Sequence, residues 1–276
     1  MSSAQVALIT GASSGFGHAL ALELLRRNFV VYAAARRLEP MHELQQAGAY
    51  LLSMDVCDDA SVSAGIEQIM TGHSRIDVVF NNAGYGAFGP VEQVPADEAR
   101  RQFDVNVFGL ARVNAAVLPI MRQQRSGRIV VTASNSSYIV GPGSGWYGAT
   151  KYAVRALCEA LRMEVMSLGI QVVQIEPGPV KTGFESVAFE KLDRLDLSDD
   201  YRSLIGAFKQ FMTKSYAQSP GVDSTVKAMV KAATVRRPRW IYRTTFESKA
   251  VTFLRGILGI RIYSWIVLRL FSRLQS

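Results

Sequence analysis

A tyrosine and a lysine stand four residues apart in GWYGATKYAV, Tyr147 and Lys151. In a segment of helical periodicity that spacing puts both side chains on one face. A phenol is a poor acid at neutral pH, with a reference pKa of about 10. A nearby ammonium favours the phenolate, so the pair could pass a proton to or from a reacting oxygen. Ser134 closes the preceding run GRIVVTAS, 13 residues before Tyr147, and could hydrogen-bond the same oxygen. With 10 tyrosines in 276 residues, a lone Tyr-x-x-x-Lys carries little weight. Tyr138 and Tyr152 do not repeat it, because Pro142 and Ala156 hold the lysine position. The value of the pair rests on what precedes it.

The second chemical stretch is VALITGASSGFG, residues 6 to 17. GASSG fits G-x-S-x-G, the turn that exposes a hydrolase nucleophile, here Ser13. That chemistry needs a histidine later in the chain, and the only ones are His18, His42 and His73. TGASSGFG also forms a glycine-rich turn in which Gly11, Gly15 and Gly17 follow an apolar run and open a helical pattern. Such a turn lays a pyrophosphate on a helix N-terminus, with Ser13 and Ser14 as hydroxyl donors. Its spacing, G-x-x-x-G-x-G, departs from the generic dinucleotide fingerprint G-x-G-x-x-G. About 20 residues on, an acid would bond the ribose of NAD, but AAARRLE places Arg36 and Arg37 there. Guanidinium groups suit a 2′-phosphate, which points to NADP(H) as cofactor.

The elements that must carry these groups alternate. Val6–Thr10, Val30–Ala34, Tyr50–Met54, Asp77–Asn81, Arg128–Thr132 and Gln171–Ile175 read as buried strands. Between them lie helical periods, such as Ala19, Leu22, Leu25 and Arg26, or Val154, Leu157, Leu161 and Val165. Strand–helix alternation with short connections predicts an α/β, doubly wound parallel sheet of Rossmann type. No Pro/Gly/Ser linker or repeat divides the chain, so a single domain over residues 1–248 is expected. Within it, the aromatic-dotted stretch 183–219, with Phe184, Phe189, Phe208, Phe211 and Tyr216, is expected to form a substrate lid or ordinary edge helices. The 49% apolar and 20% charged composition excludes a disordered chain. Two cysteines, Cys57 and Cys158, are too few for a disulfide framework or metal cluster, and no metal is expected. With only a five-residue apolar run before Gly11 and no basic leader, a cytoplasmic location is expected.

Taken together, the motifs resemble those of the short-chain dehydrogenase/reductase family, in family order across roughly residues 5–185. TGASSGFG, with Phe16 where many members have Ile or Leu, is similar to the family's T-G-x-x-x-G-x-G. Asp55 and Val56 in SMDV resemble the segment that meets the adenine ring. In NNAG, Asn82, Ala83 and Gly84 resemble the segment lining the cofactor ribose. Asn106, Ser134, Tyr147 and Lys151 resemble the catalytic tetrad. PGPVKT, with Pro177, Gly178, Val180 and Thr182, resembles the loop that grips the nicotinamide end. The resemblance implies that Tyr147 exchanges a proton with a carbonyl or hydroxyl as hydride moves, while Asn106 holds a water linking Lys151 to solvent. PGPVKTGFES and RRPRWIY look most like the branch handling hydroxysteroids, retinoids and other apolar alcohols or ketones. A smaller ketone, an acyl thioester, and an idle NADP(H)-binding protein stand as alternatives.

The charge is uneven. Residues 1–200 carry 17 Lys+Arg against 21 Asp+Glu, whereas residues 201–276 carry 14 against 2. The segment 249–276 holds Lys249, Arg255, Arg261, Arg269 and Arg273 and no acid. Its longest charge-free apolar run, Ile262–Leu268, is seven residues, short of a transmembrane span. On a single helical wheel its arginines gather in an arc of roughly 120°, which predicts a basic amphipathic helix. Peripheral membrane contact and packing over the cleft or in a homodimer are both open. No recognised fold or base-stacking platform accompanies the charge, so no nucleic-acid partner is expected.

Overall fold

The structure is a computed structural model and describes residues 4–272. Strand β1 (Val6–Thr10) is buried along its whole length, VALIT, and sits mid-sheet. Burial on both faces is why it reads as one unbroken apolar run rather than an alternation. Around it lie β2 (Val30–Ala35), β3 (Tyr50–Ser53), β4 (Val78–Asn81), β5 (Gly127–Thr132), β6 (Ile170–Glu176) and β7 (Ile241–Arg243). All pair in parallel, in the order β3-β2-β1-β4-β5-β6-β7. The strand order reverses between β1 and β4, the point where such sheets open a crevice at their carboxyl ends.

The helices divide by strand alternation. Leu8, Val79, Ile129 and Val172 turn to one face, under α3 (Asp59–His73), α5 (Gly109–Gln124) and α6 (Gly145–Val165). Ala7, Ile9, Phe80, Val130 and Val173 turn to the other, under α1 (Gly15–Arg26), the short α2 (His42–Gln46) and α9 (Asp223–Thr234). Helix α4 (Ala96–Phe103) runs into α5 through a π-helical turn, Asp104–Phe108. A third, smaller cluster lies beyond the sheet. It joins Phe88 to residues of α7 (Phe184–Asp193), α8 (Asp199–Gln218) and α10 (Phe246–Ser272).

Several expectations shift. The six expected strands lie within one residue of β1 to β6, but β7 joins the sheet edge beside them. It has only three half-buried residues, too few to show a pattern. On α1 the buried face is Gly17, Leu20, Ala21 and Leu24, one residue off the expected Ala19, Leu22 and Leu25. The expected helix face of α6 also loses Leu157, which is exposed. Stretch 183–219 forms two helices, α7 and α8. The tail is not one straight helix: Gly259, at φ 66° and ψ 174°, kinks α10 into two halves. That backbone conformation is essentially restricted to glycine. The single helical wheel therefore does not describe it, and Arg273 lies outside the described residues.

Candidate active site

The crevice above β1 and β4 is floored by the glycine turn. Gly11 adopts φ +67°, and a Cβ there would meet the Ala83 backbone at 2.8 Å. Gly17 sits so close to the turn that its Cβ would lie 2.3 Å from the Gly11 carbonyl. A side chain at either would collide with the turn itself or with the Asn82–Ala83 segment and force the turn apart. Ser14 precedes α1 in an extended conformation without capping the helix through its side chain, and no acid stands in the first turn. The first N–H groups and the positive end of the α1 dipole are thus directed at the crevice. Gly11, Ser13, Ser14, Gly15 and Phe16 line it, whereas Gly17 is buried behind them and acts by packing.

Polar side chains knit this turn to its neighbours. The Thr10 hydroxyl donates to the Phe80 carbonyl and accepts from the Asn82 and Ala83 amides at 3.1 Å. The Asn82 amide nitrogen donates to the Thr10 and Gly11 carbonyls, while its oxygen accepts from Thr132. Asn82, Ala83 and Gly84 line the same crevice. Thr10 and Thr132 also line it and were missed as site residues; their sequence signal was adjacency to a motif and a strand end.

At the far end Asp55 and Val56 line the crevice, with the Asp55 carboxylate accepting from the Cys57 amide at 3.0 Å. Cys57 also lines it; burial pushes its thiol up to about 12, so it stays protonated. Of the two arginines, only Arg36 borders the crevice; Arg37 is exposed outside it. The loop after β6 closes the other end with Pro177, Gly178, Val180 and Thr182. Asn135 donates to the Pro177 carbonyl, and Gly178 to the Thr245 hydroxyl. Behind the loop, the buried Glu176 pairs with Arg243 of β7 at 3.1 Å and lies beside Tyr138. Burial raises its carboxyl, and these two partners pull it back. Sequence reasoning missed this anchor because β7 was not foreseen.

Tyr147, Lys151, Ser134 and Asn106 converge where the crevice meets the third cluster. Ser134 follows β5 and Tyr147 and Lys151 occupy the first two turns of α6, so sheet and helix fix their separation. The Tyr147 ring is held by Phe88 at 6.1 Å and Phe184 at 5.3 Å between centroids. Burial pushes its phenol up to about 12, while the Ser134 hydroxyl beside it pulls it down. Lys151 is buried, donates to the Thr132 carbonyl at 2.9 Å, and lies 5.8 Å from the Tyr147 ring centroid. Burial lowers its ammonium to about 8. The ammonium therefore does not pull this phenol below its ordinary value, as the spacing alone suggested. Asn106 sits in the π-helical turn, and its amide donates to the Tyr85 carbonyl and the Thr150 hydroxyl while accepting from the Tyr85 amide. Its Oδ1 lies 3.0 Å from where a Gly84 Cβ would stand, with Lys151 Nζ at 4.0 Å. Single-turn π-helices of this kind recur at functional sites.

Beyond Tyr147 the crevice widens into an apolar chamber. Phe184 and Val187 of α7, Phe208, Phe211 and Met212 of α8, and Val251, Leu258 and Val267 of α10 form its walls. Glu247, its carboxyl raised by burial, and Tyr216 are polar exceptions. Crevice and chamber form one cavity of about 1100 Å³. That exceeds a typical single-ligand pocket of roughly 300–1,000 Å³ and leaves room for a dinucleotide and a second molecule.

The residues present suit a nicotinamide dinucleotide: a glycine cradle, a free helix N-terminus, and a guanidinium at the adenosine end. They do not suit a serine hydrolase. His18 pairs with Glu43 and His73 with Tyr32, and no histidine lines the cavity. Among the described residues, no cluster of His, Cys, Asp and Glu could hold a metal ion.

Comparison with known proteins points the same way. The family model described as short chain dehydrogenase matches residues 5–193. A probable short-chain type dehydrogenase/reductase of Helicobacter pylori is 34% identical over 92% of this chain and 93% of its own. Human 17-beta-hydroxysteroid dehydrogenase type 1 is 35% identical over 87% of this chain and 77% of its own. Among solved structures, a short-chain dehydrogenase from Streptomyces avermitilis superposes with a TM-score of 0.81 at 29% identity, covering 92% of both chains. A short chain dehydrogenase/reductase from Burkholderia phymatum, in complex with NAD, gives 0.80 at 28% identity, over 92% of this chain and 93% of that one.

Proposed function

The chain belongs to the short-chain dehydrogenase/reductase family, and from that premise we propose that it is an NADP(H)-dependent oxidoreductase interconverting a hydroxyl and a carbonyl on an apolar substrate. The observation that carries the reading is Tyr147. Its phenol stands at the junction of the polar crevice and the apolar chamber, beside the Ser134 hydroxyl, with Lys151 one turn away. The cofactor, when bound, supplies or accepts the hydride. Everything else falls to side chains.

In the reducing direction Tyr147, neutral at pH 7, donates its proton to the carbonyl oxygen. Ser134 hydrogen-bonds that oxygen and stabilises the charge developing on it. Lys151, charged below about pH 8, stabilises the phenolate left behind. Asn106 holds Gly84 and Lys151 in register through its bonds to Tyr85 and Thr150, and Glu176 steadies the loop that closes over the site. Arg36 borders the crevice where a ribose 2′-phosphate would lie, which supports NADP(H) over NAD(H). The aromatic and aliphatic chamber walls favour a ligand such as a steroid, a retinoid or a long-chain ketone. The human relative's name, a hydroxysteroid dehydrogenase, is consistent with that class.

The test is a spectrophotometric screen of NADPH oxidation over steroids, retinals, medium-chain ketones, small ketones and acyl thioesters. Turnover is expected for apolar ketones. Consumption only with small ketones or thioesters would refute the substrate class. No consumption with any of them, despite tight NADPH binding, would favour an idle binding protein.

A further inference from the structure

Helix α10 has two apolar faces, and the chamber uses one. Val251, Leu254 and Leu258 of its first half, and Val267 and Phe271 of its second, follow helical spacing and line the cavity. Phe271 is only 4% exposed and Thr252 and Ser248 are buried, so the helix lies along the protein surface. On the outer side Phe253 is 67% exposed, Ile257 66%, Trp265 61% and Leu268 55%. None of these four touches the cavity. Isolated exposed apolar residues are ordinary, but a row on both halves of one helix marks an interaction surface.

The length of α10 also departs from the short apolar run read in the sequence. Its 27 residues are long and apolar enough to cross a bilayer by length and composition. The run from α4 through α5 meets the same criterion, but Val113, Val117 and Met121 of α5 are in the sheet core. Helix α10 is kinked at Gly259, is seated on the protein through Ser248, Thr252 and Phe271, and lends Val251, Leu258 and Val267 to the chamber, an arrangement that suits lying along a membrane surface rather than across it.

Charge selects what covers it. Lys249, Arg255, Arg261 and Arg269 are distributed over both halves, and no acid follows Glu247 in the chain. Two copies pairing through this face would set like charges against like. An anionic lipid surface would meet them with opposite charge, at about fivefold in partitioning for each basic residue near it. The Arg269 guanidinium lies 5.6 Å from the exposed Trp265 ring, and that of Arg255 lies 5.6 Å from the Tyr263 ring. Amphipathic rings beside cations are at home at the headgroup level.

We propose that α10 docks flat on an anionic membrane and serves as the wall through which a lipophilic substrate passes from the bilayer into the chamber. Its inner side chains are the chamber lining and its outer ones are immersed in lipid, while the kink at Gly259 lets the two halves part. The docking stands without any assumption about the reaction; the portal rests on the oxidoreductase reading above.

The test is vesicle flotation of the full chain beside a Phe253→Ser, Ile257→Ser, Trp265→Ser, Leu268→Ser variant. These side chains are exposed, so the variant should fold and bind NADPH unchanged. With vesicles of phosphatidylcholine and phosphatidylglycerol in about equal amounts, the unaltered protein floats and the variant partitions about a hundredfold less. Phosphatidylcholine alone should bind the unaltered protein more weakly. If the unaltered protein stays unbound on anionic vesicles, or the variant floats equally well, docking is wrong. If the substitutions instead turn a dimer into a monomer by sedimentation, and no vesicle binding occurs, the face belongs to a second copy. For the portal, kcat/KM for a long-chain ketone held in those vesicles should fall about tenfold in the variant, with a water-soluble ketone unaffected. Equal activity of both proteins on the vesicle-held ketone would overturn it. Absence of activity on either ketone would instead sink the functional reading, leaving flotation to decide docking.

Discussion

The two halves of the cavity are built on opposite plans. The crevice that suits a dinucleotide is made largely of main chain, with glycine turns, strand ends and a helix N-terminus tied by Thr10, Asn82 and Thr132. It stands on the two large cores that cover the faces of the sheet. The chamber is made of side chains on helices beyond the sheet, held by a small aromatic cluster around Phe88 and Phe208. A ligand shared by many enzymes can be met by backbone geometry, which side-chain drift does not alter. A ligand peculiar to one enzyme must be met by side chains that can change without disturbing the sheet. Tyr147 stands at the seam, with its rotamer fixed by Phe88 and Phe184 on the chamber side and its helix fixed on the crevice side.

If the halves are separable, damage to one should spare the other. Phe208 is buried, packs 5.3 Å from Phe88, and lines the cavity on its chamber side. Phe208→Ala is expected to destabilise the chamber by about 3–5 kcal/mol, seen as an early phase in denaturant unfolding. NADPH affinity at low denaturant should be unchanged; a parallel loss would show the two halves to be one unit. In the crevice, Arg36→Ala should weaken NADPH by about ten- to a hundredfold and NADH little, measured by fluorescence titration. Arg37→Ala should do less, since Arg37 does not border the cavity. Equal weakening of both cofactors would refute the 2′-phosphate contact. At the seam, the smallest effect is a pH limb. Lys151 loses its proton as pH rises through about 8, and with it the charge that stabilises the phenolate. Thus kcat/KM for carbonyl reduction should be flat below that value and fall by up to about tenfold per unit above it. Lys151→Met should remove the inflection. Tyr147 alone, at about 12, would place the fall far higher.

The same contrast decides how much the sequence revealed. Strands buried on both faces write themselves as apolar runs, so β1, β2, β4, β5 and β6 were legible to within a residue; β3, read as buried, is an edge strand in which only Leu52 is buried. The glycine turn, NNAG and the Ser134–Tyr147–Lys151 spacing were legible because geometry demands particular residues at particular intervals. The chamber was not. Phe184, Phe208 and Phe211 announced an apolar ligand but not that α7, α8 and α10 would wall it together. Helix α1 carries more apolar residues than one face needs, so periodicity placed its stripe one residue off. Arg36 and Arg37 are equivalent in sequence and differ only in which way the chain turns after β2. A glycine such as Gly259 weakens any helix; that it bends α10 around the chamber depends on contacts far away in the chain.

The central claim is that the Tyr147 phenol is the proton donor at the seam. Turnover and NADPH binding of Tyr147→Phe, measured side by side on one purified preparation, test it most directly. Removing one hydroxyl leaves the ring packing on Phe88 and Phe184 intact. The expected result is a fall in kcat of about a thousandfold with the NADPH dissociation constant changed by less than about twofold. A variant that keeps turnover within about tenfold of the parent would contradict the account.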